Sequence, residues 1–441
     1  MLQRSPSAYQ GTNQGFVYHG CNYMQQYSHI YCKRVLALRP ALEHHLRSRQ
    51  SSLRIVDRII GLKIGEKVGL VGTIFKEQKL KPCVLDEFTN DFISSSGAGR
   101  GGVRENYFDS GADVLFIEDE SGRCVLQQEH AQLMDQLVTG VILGCFGTLG
   151  ENGEFVVDEV FFPGDCFSVK SPRAAPAVGV MPKYLLLCSG VLAGSVSSLS
   201  LELLSHYVAT REDICQVVIA GGVVAPPPPI KDTILTSVVV TSLDAKLATE
   251  AQEVLGQAVR EADLWLAELA STVRVDLVPG EGDPVSSALP QQPLHACLFP
   301  TASRLATLHR ATNPHSFALD GLSVVGHSGQ PIRDAMRYVN PQTVQPLDVL
   351  QSCVLQYRHL APTAPDTLCA YPFHDRDPFV LAGPNIIDLA FAGDCHQFAT
   401  NWLQGTRFVC VPNFSVTKQI VLVDLSSPML EATTVEFEVK L

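Results

Sequence analysis

Residues 184–278 alternate buried-strand runs with helical periodicity, and few architectures accept that alternation. Tyr184-Leu185-Leu186-Leu187-Cys188 is apolar almost from end to end, as a strand covered on both faces must be. A helix is expected near 199–208 and a second strand at 216–220. Leu243, Leu247, Ala251, Val254, Ala258, Ala262, Trp265 and Leu269 then recur at spacings of three and four, with Thr241 and Asp244 placed as a capping box. A third strand, 273–278, follows. Strand, helix, strand, helix, strand predicts a layered α/β domain, and short strands at 323–325, 386–391, 408–411, 420–425 and 434–439 add β-structure to it.

Upstream the pattern is different. Short β-rich runs at 67–75, 113–117, 123–126, 138–146 and 154–162 are punctuated by Gly69, Gly72, Gly122, Gly140, Gly144, Gly147 and Gly153. Five strands in about 110 residues fit an OB-fold barrel, with Glu151-Asn152-Gly153-Glu154 as its last hairpin turn and 94–102 as an exposed loop. Before the barrel, Tyr31, Val35, Leu38, Leu42 and Leu46 mark one helical face, which Pro40 is expected to split or kink. Residues 1–22 lack periodicity and read as a flexible tail. The expected division is therefore an N-terminal helical element (23–54), an OB-fold (55–165), a Pro-punctuated linker (166–182) and an α/β domain (183–441).

The 441 residues, 46% hydrophobic and 18% charged, suit two to three cored domains and exclude a predominantly disordered chain. No apolar run reaches the roughly 18 residues of a membrane span, and the N-terminus lacks the apolar core of a secretory signal. Thirteen cysteines are scattered from Cys21 to Cys410 without a C-x-x-C pair, which predicts reduced, buried thiols and no zinc finger. A net charge of −12 disfavours a surface devoted to phosphate neutralisation. The basic stretch Lys33, Arg34, Arg39, Arg47, Arg49, Arg54 and Arg58 reads as a solvated helix face.

Ligands in layered α/β domains gather at the carboxyl ends of strands. Here those ends carry Ser189-Gly190, Gly221-Gly222 and Pro279-Gly280-Glu281-Gly282-Asp283-Pro284, followed later by Gly326-His327-Ser328-Gly329-Gln330 and Gly393-Asp394-Cys395-His396. Their order resembles the calcineurin-like metallophosphoesterases, whose strand ends supply carboxylates and imidazoles to two divalent ions. Most of those ligands are missing: Asp283, Asp394 and His396 stand alone, and His295, His327, His359 and His396 read as structural or surface histidines. We expect no catalytic, metal-ligating or cofactor-binding residue, and no cofactor.

Longer strings sharpen the resemblance. Pro279-Gly280-Glu281 with Asp283-Pro284, Leu289-Pro290-Gln291-Gln292-Pro293-Leu294-His295, Leu298-Phe299-Pro300, Thr312-Asn313-Pro314, and Arg358-His359-Leu360-Ala361-Pro362-Thr363-Ala364-Pro365-Asp366-Thr367-Leu368 are similar to the small, non-catalytic B-type subunits of eukaryotic replicative DNA polymerases, the delta type above all. By their residues alone, Glu281 and Asp283 are expected to lock their loop through backbone N–H groups, and Asp366 and Thr367 to bond backbone. The resemblance implies an OB-fold joined to an inactive phosphoesterase domain. It further implies a nuclear scaffold of DNA polymerase delta in replication and repair synthesis, docking the cysteine-rich, metal-binding C-terminal domain of the catalytic subunit and carrying a third subunit, with DNA contacted only indirectly or weakly. The B-type subunits of the alpha or epsilon polymerases, and an active metal-dependent phosphodiesterase or nuclease, are the alternatives. Phe75, Tyr107, Phe108 and Phe116 would be the aromatics of a single-strand-binding barrel, or simply its core and loop anchors.

Overall fold

A computed structural model describes residues 4, 7–20, 22, 24–82, 105–127, 131–167, 182–226, 242–383 and 387–437. The loop at 94–102, most of the linker, the end of the Pro226 to Pro229 run, Thr241 of the expected capping box and the end of the strand expected at 434–439 lie outside them.

The chain opens with a short strand, β1 (Tyr9–Gly11), and a long helix, α1 (Ser28–Arg49). Six strands follow: β2 (Ile55–Val56), β3 (Lys67–Glu77), β4 (Val114–Asp119), β5 (Gly122–Gln127), β6 (Ile142–Leu149) and β7 (Glu154–Phe161), with a short helix, α2 (Ala131–Gln136), before β6. Their order is β2-β3-β4-β5-β7-β6, and β3 pairs again with β6, which closes the sheet into the expected OB-type barrel. The β6–β7 hairpin turns at Gly153, whose φ of +79° is open to glycine without strain.

The alternation beyond the barrel is realised as β8 (Tyr184–Cys188), α3 (Ser198–Thr210), β9 (Ile214–Ala220), α4 (Ser242–Thr272) and β10 (Arg274–Val278), with β8, β9 and β10 mutually parallel. Then come β11 (Leu308–Arg310), β12 (His315–Leu319), β13 (Leu322–His327), α5 (Gln330–Ala335), α6 (Pro346–Gln351), β14 (Leu389–Cys395), β15 (Ala399–Leu403), β16 (Thr406–Pro412), α7 (Phe414–Thr417), β17 (Gln419–Asp424) and β18 (Ala432–Glu436). They form two six-stranded sheets, β11-β10-β9-β8-β17-β18 and β1-β12-β13-β14-β16-β15. Leu185, Leu187, Val218 and Val278 of the first sheet meet Phe317, Val324, Phe391 and Val409 of the second in one inter-sheet core. The alternate residues of the first sheet, Leu186, Val217, Ile219, Val275 and Leu277, pack outward with Leu204, Trp265 and Leu269 of α3 and α4. No helix among the described residues is long and apolar enough to cross a membrane.

Three expectations are corrected. The described residues of the segment read as a flexible tail are tied down: β1 adds antiparallel to β12, Phe16 is buried, and the Arg4 guanidinium donates to the carbonyls of Val208, Arg211, Ile214 and Thr272. The unpaired edge of β12 supplies the reason, and a three-residue strand is too short to show a period. Helix α1 runs unbroken through Pro40. Its buried stripe, Ile30, Arg34, Leu38, Leu42 and Leu46, has strict i+4 spacing, so Arg34 belongs to the packed face and not to a solvated one.

Barrel and sandwich share a core. Leu137, Val138 and Phe155 of the barrel half cluster with Ile332, Tyr338, Val339, Tyr357 and Leu360 of the sandwich half. Two buried cations cross the same junction. Lys76 on β3 donates to the carbonyls of Met134, Leu137 and Tyr338, and Arg34 reaches Gly140, Pro362, Ala364 and Asp377.

Candidate functional site

The loops after β8, β9, β10, β13 and β14 do converge, and backbone fills the place where they meet. Gly190 N–H donates to Gly221 O at 2.9 Å, and Gly221 N–H donates to Val278 O at 3.0 Å. Gly190, Gly221 and Gly222 all have positive φ. A Cβ on Gly280 would lie 2.7 Å from Gly222 N, and one on Gly190 would lie 2.5 Å from Asn413 Oδ1, so only glycine permits this crossing of chains.

Asp283, the carboxylate the sequence retains, is spent on that crossing. It accepts N–H bonds from Gly222, Val223, Val224 and Gly280 at 2.8–3.1 Å. Burial pushes its pKa up to about 6, while those four donors pull the other way. Glu281 does not lock the loop through backbone as expected; it points outward and pairs with Arg333 at 2.6 Å. Arg333 also binds Asp394 at 2.6 Å, and Asp394 in turn accepts from Asn413 Nδ2 at 2.6 Å. Ser189 Oγ donates to Ala220 O and accepts from Asp394 N–H, stitching the β8 and β14 ends together.

Of the four singled-out histidines, two reach this region. His327 is fully buried, its Nδ1 accepts from Gly329 N–H, and desolvation pushes its pKa down to about 4. His396 is exposed on a cleft of about 420 Å³ lined with Arg333, Met336, Asp394, Asn413 and Val416. His295 caps a short turn by accepting from Cys297 N–H, and His359 lies in the junction beneath α1. The strand ends thus gather one carboxylate held by backbone, Asp283, and one clamped by an arginine, Asp394, which shares its cleft with the exposed His396. Asp366 and Thr367 also depart from expectation. Their side chains bond side chains, Lys81 and Tyr338 for Asp366 and Asp334 and Tyr338 for Thr367.

Of the four barrel aromatics Tyr107 is buried, while Phe75, Phe108 and Phe116 are half-buried. Phe108 lies under the Lys76 ammonium at 4.8 Å, and Phe116 faces Phe75 and Arg123. Among the described residues, the group with the spacing of a metal centre is Asp276, His309 and His315. Sequence reasoning does not find it. Its one signal is Asp276, an acidic residue between Val275 and Leu277 in an otherwise apolar strand that opens on Arg274.

Comparison with known proteins follows the same two halves. The family model for the OB-fold domain of the DNA polymerase delta subunit matches residues 26–160, and the model for the B-type subunit of DNA polymerases alpha and epsilon matches residues 185–400. A DNA polymerase delta small subunit from Arabidopsis thaliana is 34% identical over 95% of this chain and 92% of its own length. DNA polymerase delta subunit 2 from Drosophila melanogaster is 32% identical over 100% of this chain and 99% of its own. Among solved structures, an archaeal phosphodiesterase aligns at 10% identity with a TM-score of 0.29, covering 57% of this chain and 98% of that one, too distant to bear on residues or chemistry.

Proposed function

The chain belongs to the DNA polymerase delta small-subunit family, and we propose that it is the accessory subunit of a nuclear DNA polymerase delta complex, acting in replication and repair synthesis. In this reading it docks the cysteine-rich, metal-binding C-terminal domain of the catalytic subunit and carries a further accessory subunit. Polymerase chemistry stays in the catalytic subunit, this chain turns nothing over, and DNA is met weakly or through partners. The division proposed with it is a helical element at 23–54, an OB-fold at 55–165, a linker at 166–182 and a phosphoesterase-like domain at 183–441.

The observation that carries the reading is the junction. A scaffold must present two partners at a fixed mutual angle, and barrel and sandwich here share one core cluster crossed by buried Arg34 and Lys76. Inter-domain contacts of that kind resist the relative motion otherwise expected of linked domains. The strand ends support the non-catalytic half of the reading, because the groups that would meet two metal ions are replaced by glycine backbone or engaged elsewhere. A net charge of −12 suits a partner with a basic surface.

The experiment is capture of purified C-terminal cysteine-rich domains from the delta, alpha and epsilon catalytic subunits by the full chain. Selective, stoichiometric retention of the delta domain is expected. Equal retention of the alpha or epsilon domain, or retention of none, overturns the assignment.

A further inference from the structure

A second constellation lies inside the sandwich, away from the strand ends. The alternation of β10 sends Val275 and Leu277 to the helix side, so Asp276 takes the inter-sheet side with Val278, at zero exposure. Parallel pairing sets His309 of β11 directly beside Asp276, and β12 of the facing sheet brings His315 from across the sandwich. His309 Nδ1 lies 3.1 Å from Asp276 Oδ1, and His315 Nε2 lies 3.1 Å from Oδ2. All the donor atoms fall within 4.8 Å of one another.

We infer that Asp276, His309 and His315 form a binding site for a divalent transition-metal ion of the zinc type, which clasps the β10–β11 edge of one sheet to β12 of the other. The site stands apart from the polymerase reading. Two imidazoles and a carboxylate are a borderline-soft donor set that suits Zn²⁺, whereas Mg²⁺ and Ca²⁺ require mostly oxygen. Metal–ligand bonds of about 2.0–2.1 Å in a tetrahedral site place neighbouring donors about 3.3 Å apart; each imidazole nitrogen already lies 3.1 Å from one carboxylate oxygen, with all donors inside 4.8 Å. Asp276 is a carboxylate at zero exposure beside the inter-sheet apolar core, and a divalent ion at its oxygens would add a counter-charge there.

The surroundings fit the same role. Gln216 Nε2 donates to Asp276 Oδ2 at 2.6 Å and orients the carboxylate from outside the ligand set. The Tyr9 hydroxyl sits 3.2 Å from His309 Nδ1, and its ring stacks on Phe317, so the N-terminal strand covers the site. The His309 side chain is 40% exposed, which leaves a route for the ion. His315 Nδ1, by contrast, is buried with no partner. That ring lacks the outer hydrogen bond that ligating histidines usually have, and the absence of such a bond costs about 10–100-fold in affinity.

The test is titration of the full chain with Co²⁺ and then Zn²⁺. One equivalent of Co²⁺ should give the visible ligand-field bands of a four-coordinate site, Zn²⁺ should displace it, and Zn²⁺ should raise the thermal midpoint. His309→Gln, at a part-exposed edge where the fold tolerates change, should weaken binding by at least about tenfold and abolish the thermal shift; Asp276→Asn should do the same if it folds. Among the described residues, the exposed thiols of Cys32, Cys297 and Cys369 are competing ligands. Thiolate-to-cobalt charge-transfer bands, affinity unchanged by His309→Gln, or no binding at tens of micromolar metal would each overturn the site.

Discussion

Arg34 and Asp377, 343 residues apart in the chain, form an ion pair of 2.8 Å in which both side chains are completely buried. The rest of the guanidinium is used as well: Nη1 donates to Gly140 and Pro362 carbonyls and Nη2 to that of Ala364. Asp377 also takes His359 Nε2 at 2.9 Å. Burial would push the Asp377 pKa up, but His359 and Arg34 overcome it and hold the carboxyl well below the usual range. One side chain of α1 therefore joins the helix, the barrel at Gly140 and the sandwich at Pro362 and Ala364.

Removing that side chain strands a buried carboxylate and three carbonyls. Arg34→Ala is expected to destabilise the full chain by about 3–5 kcal/mol, the range for breaking a buried pair from one side. Arg34→Lys should recover little, because an ammonium cannot span the same fork of acceptors. Denaturant unfolding measures both, and a loss below about 1 kcal/mol for Arg34→Ala would contradict the role given to the pair.

Stability should fall on mild acidification. His327 and His359 are buried and neutral, each pushed by desolvation from 6.5 down to about 4, with Arg34 adding to the effect at His359. Between those values the unfolded chain binds protons the folded chain does not, so stability present above pH 6.5 is lost as pH falls towards 4. Asp283 has the opposite sign: its pKa is raised from 3.8 to about 6, and protonation of the folded form offsets part of the loss below pH 6. The net change from pH 7 to pH 5 is expected to be a loss of about 2–3 kcal/mol. Unfolding curves at several pH values check it, and His327→Gln should flatten the dependence.

The crossing of glycines at the strand ends tolerates no side chain. In Gly280→Ala the new methyl would sit 2.7 Å from Gly222 N and 2.8 Å from Gly221 Cα, both backbone atoms that cannot swing aside. A loss of about 1–3 kcal/mol is expected from this overpacking. Gly321→Ala is a control, since its Cβ meets nothing within 4 Å and only its φ of +79° is strained. Equal thermal midpoints for Gly280→Ala and the parent would refute the close packing.

No hydrolysis of phosphodiester substrates or single-stranded DNA is expected from the purified chain with Mn²⁺ or Mg²⁺. Asp283 is engaged by four backbone donors and Asp394 by Arg333 and Asn413, so neither is free to bridge two ions. Metal-dependent turnover that disappears in Asp283→Ala or His396→Ala would prove the contrary.

The sequence by itself determined the two halves and their order. Short β-rich runs punctuated by glycine fit a small barrel, and apolar strands alternating with amphipathic helices must bury both faces of a sheet. Set beside the calcineurin-like pattern, it also showed Ser189-Gly190 and Gly221-Gly222 where that pattern has carboxylates and imidazoles, since residue types are legible without coordinates. Tertiary structure alone decided the rest. That Arg34 is core and Arg39 is not, that β1 pairs with β12, and that Asp276 meets His309 and His315 are outcomes of contacts spanning tens to hundreds of residues. Local pattern cannot register such contacts, because a charge on an apolar stripe looks the same whether its partner is water or a carboxylate folded back from the far end of the chain.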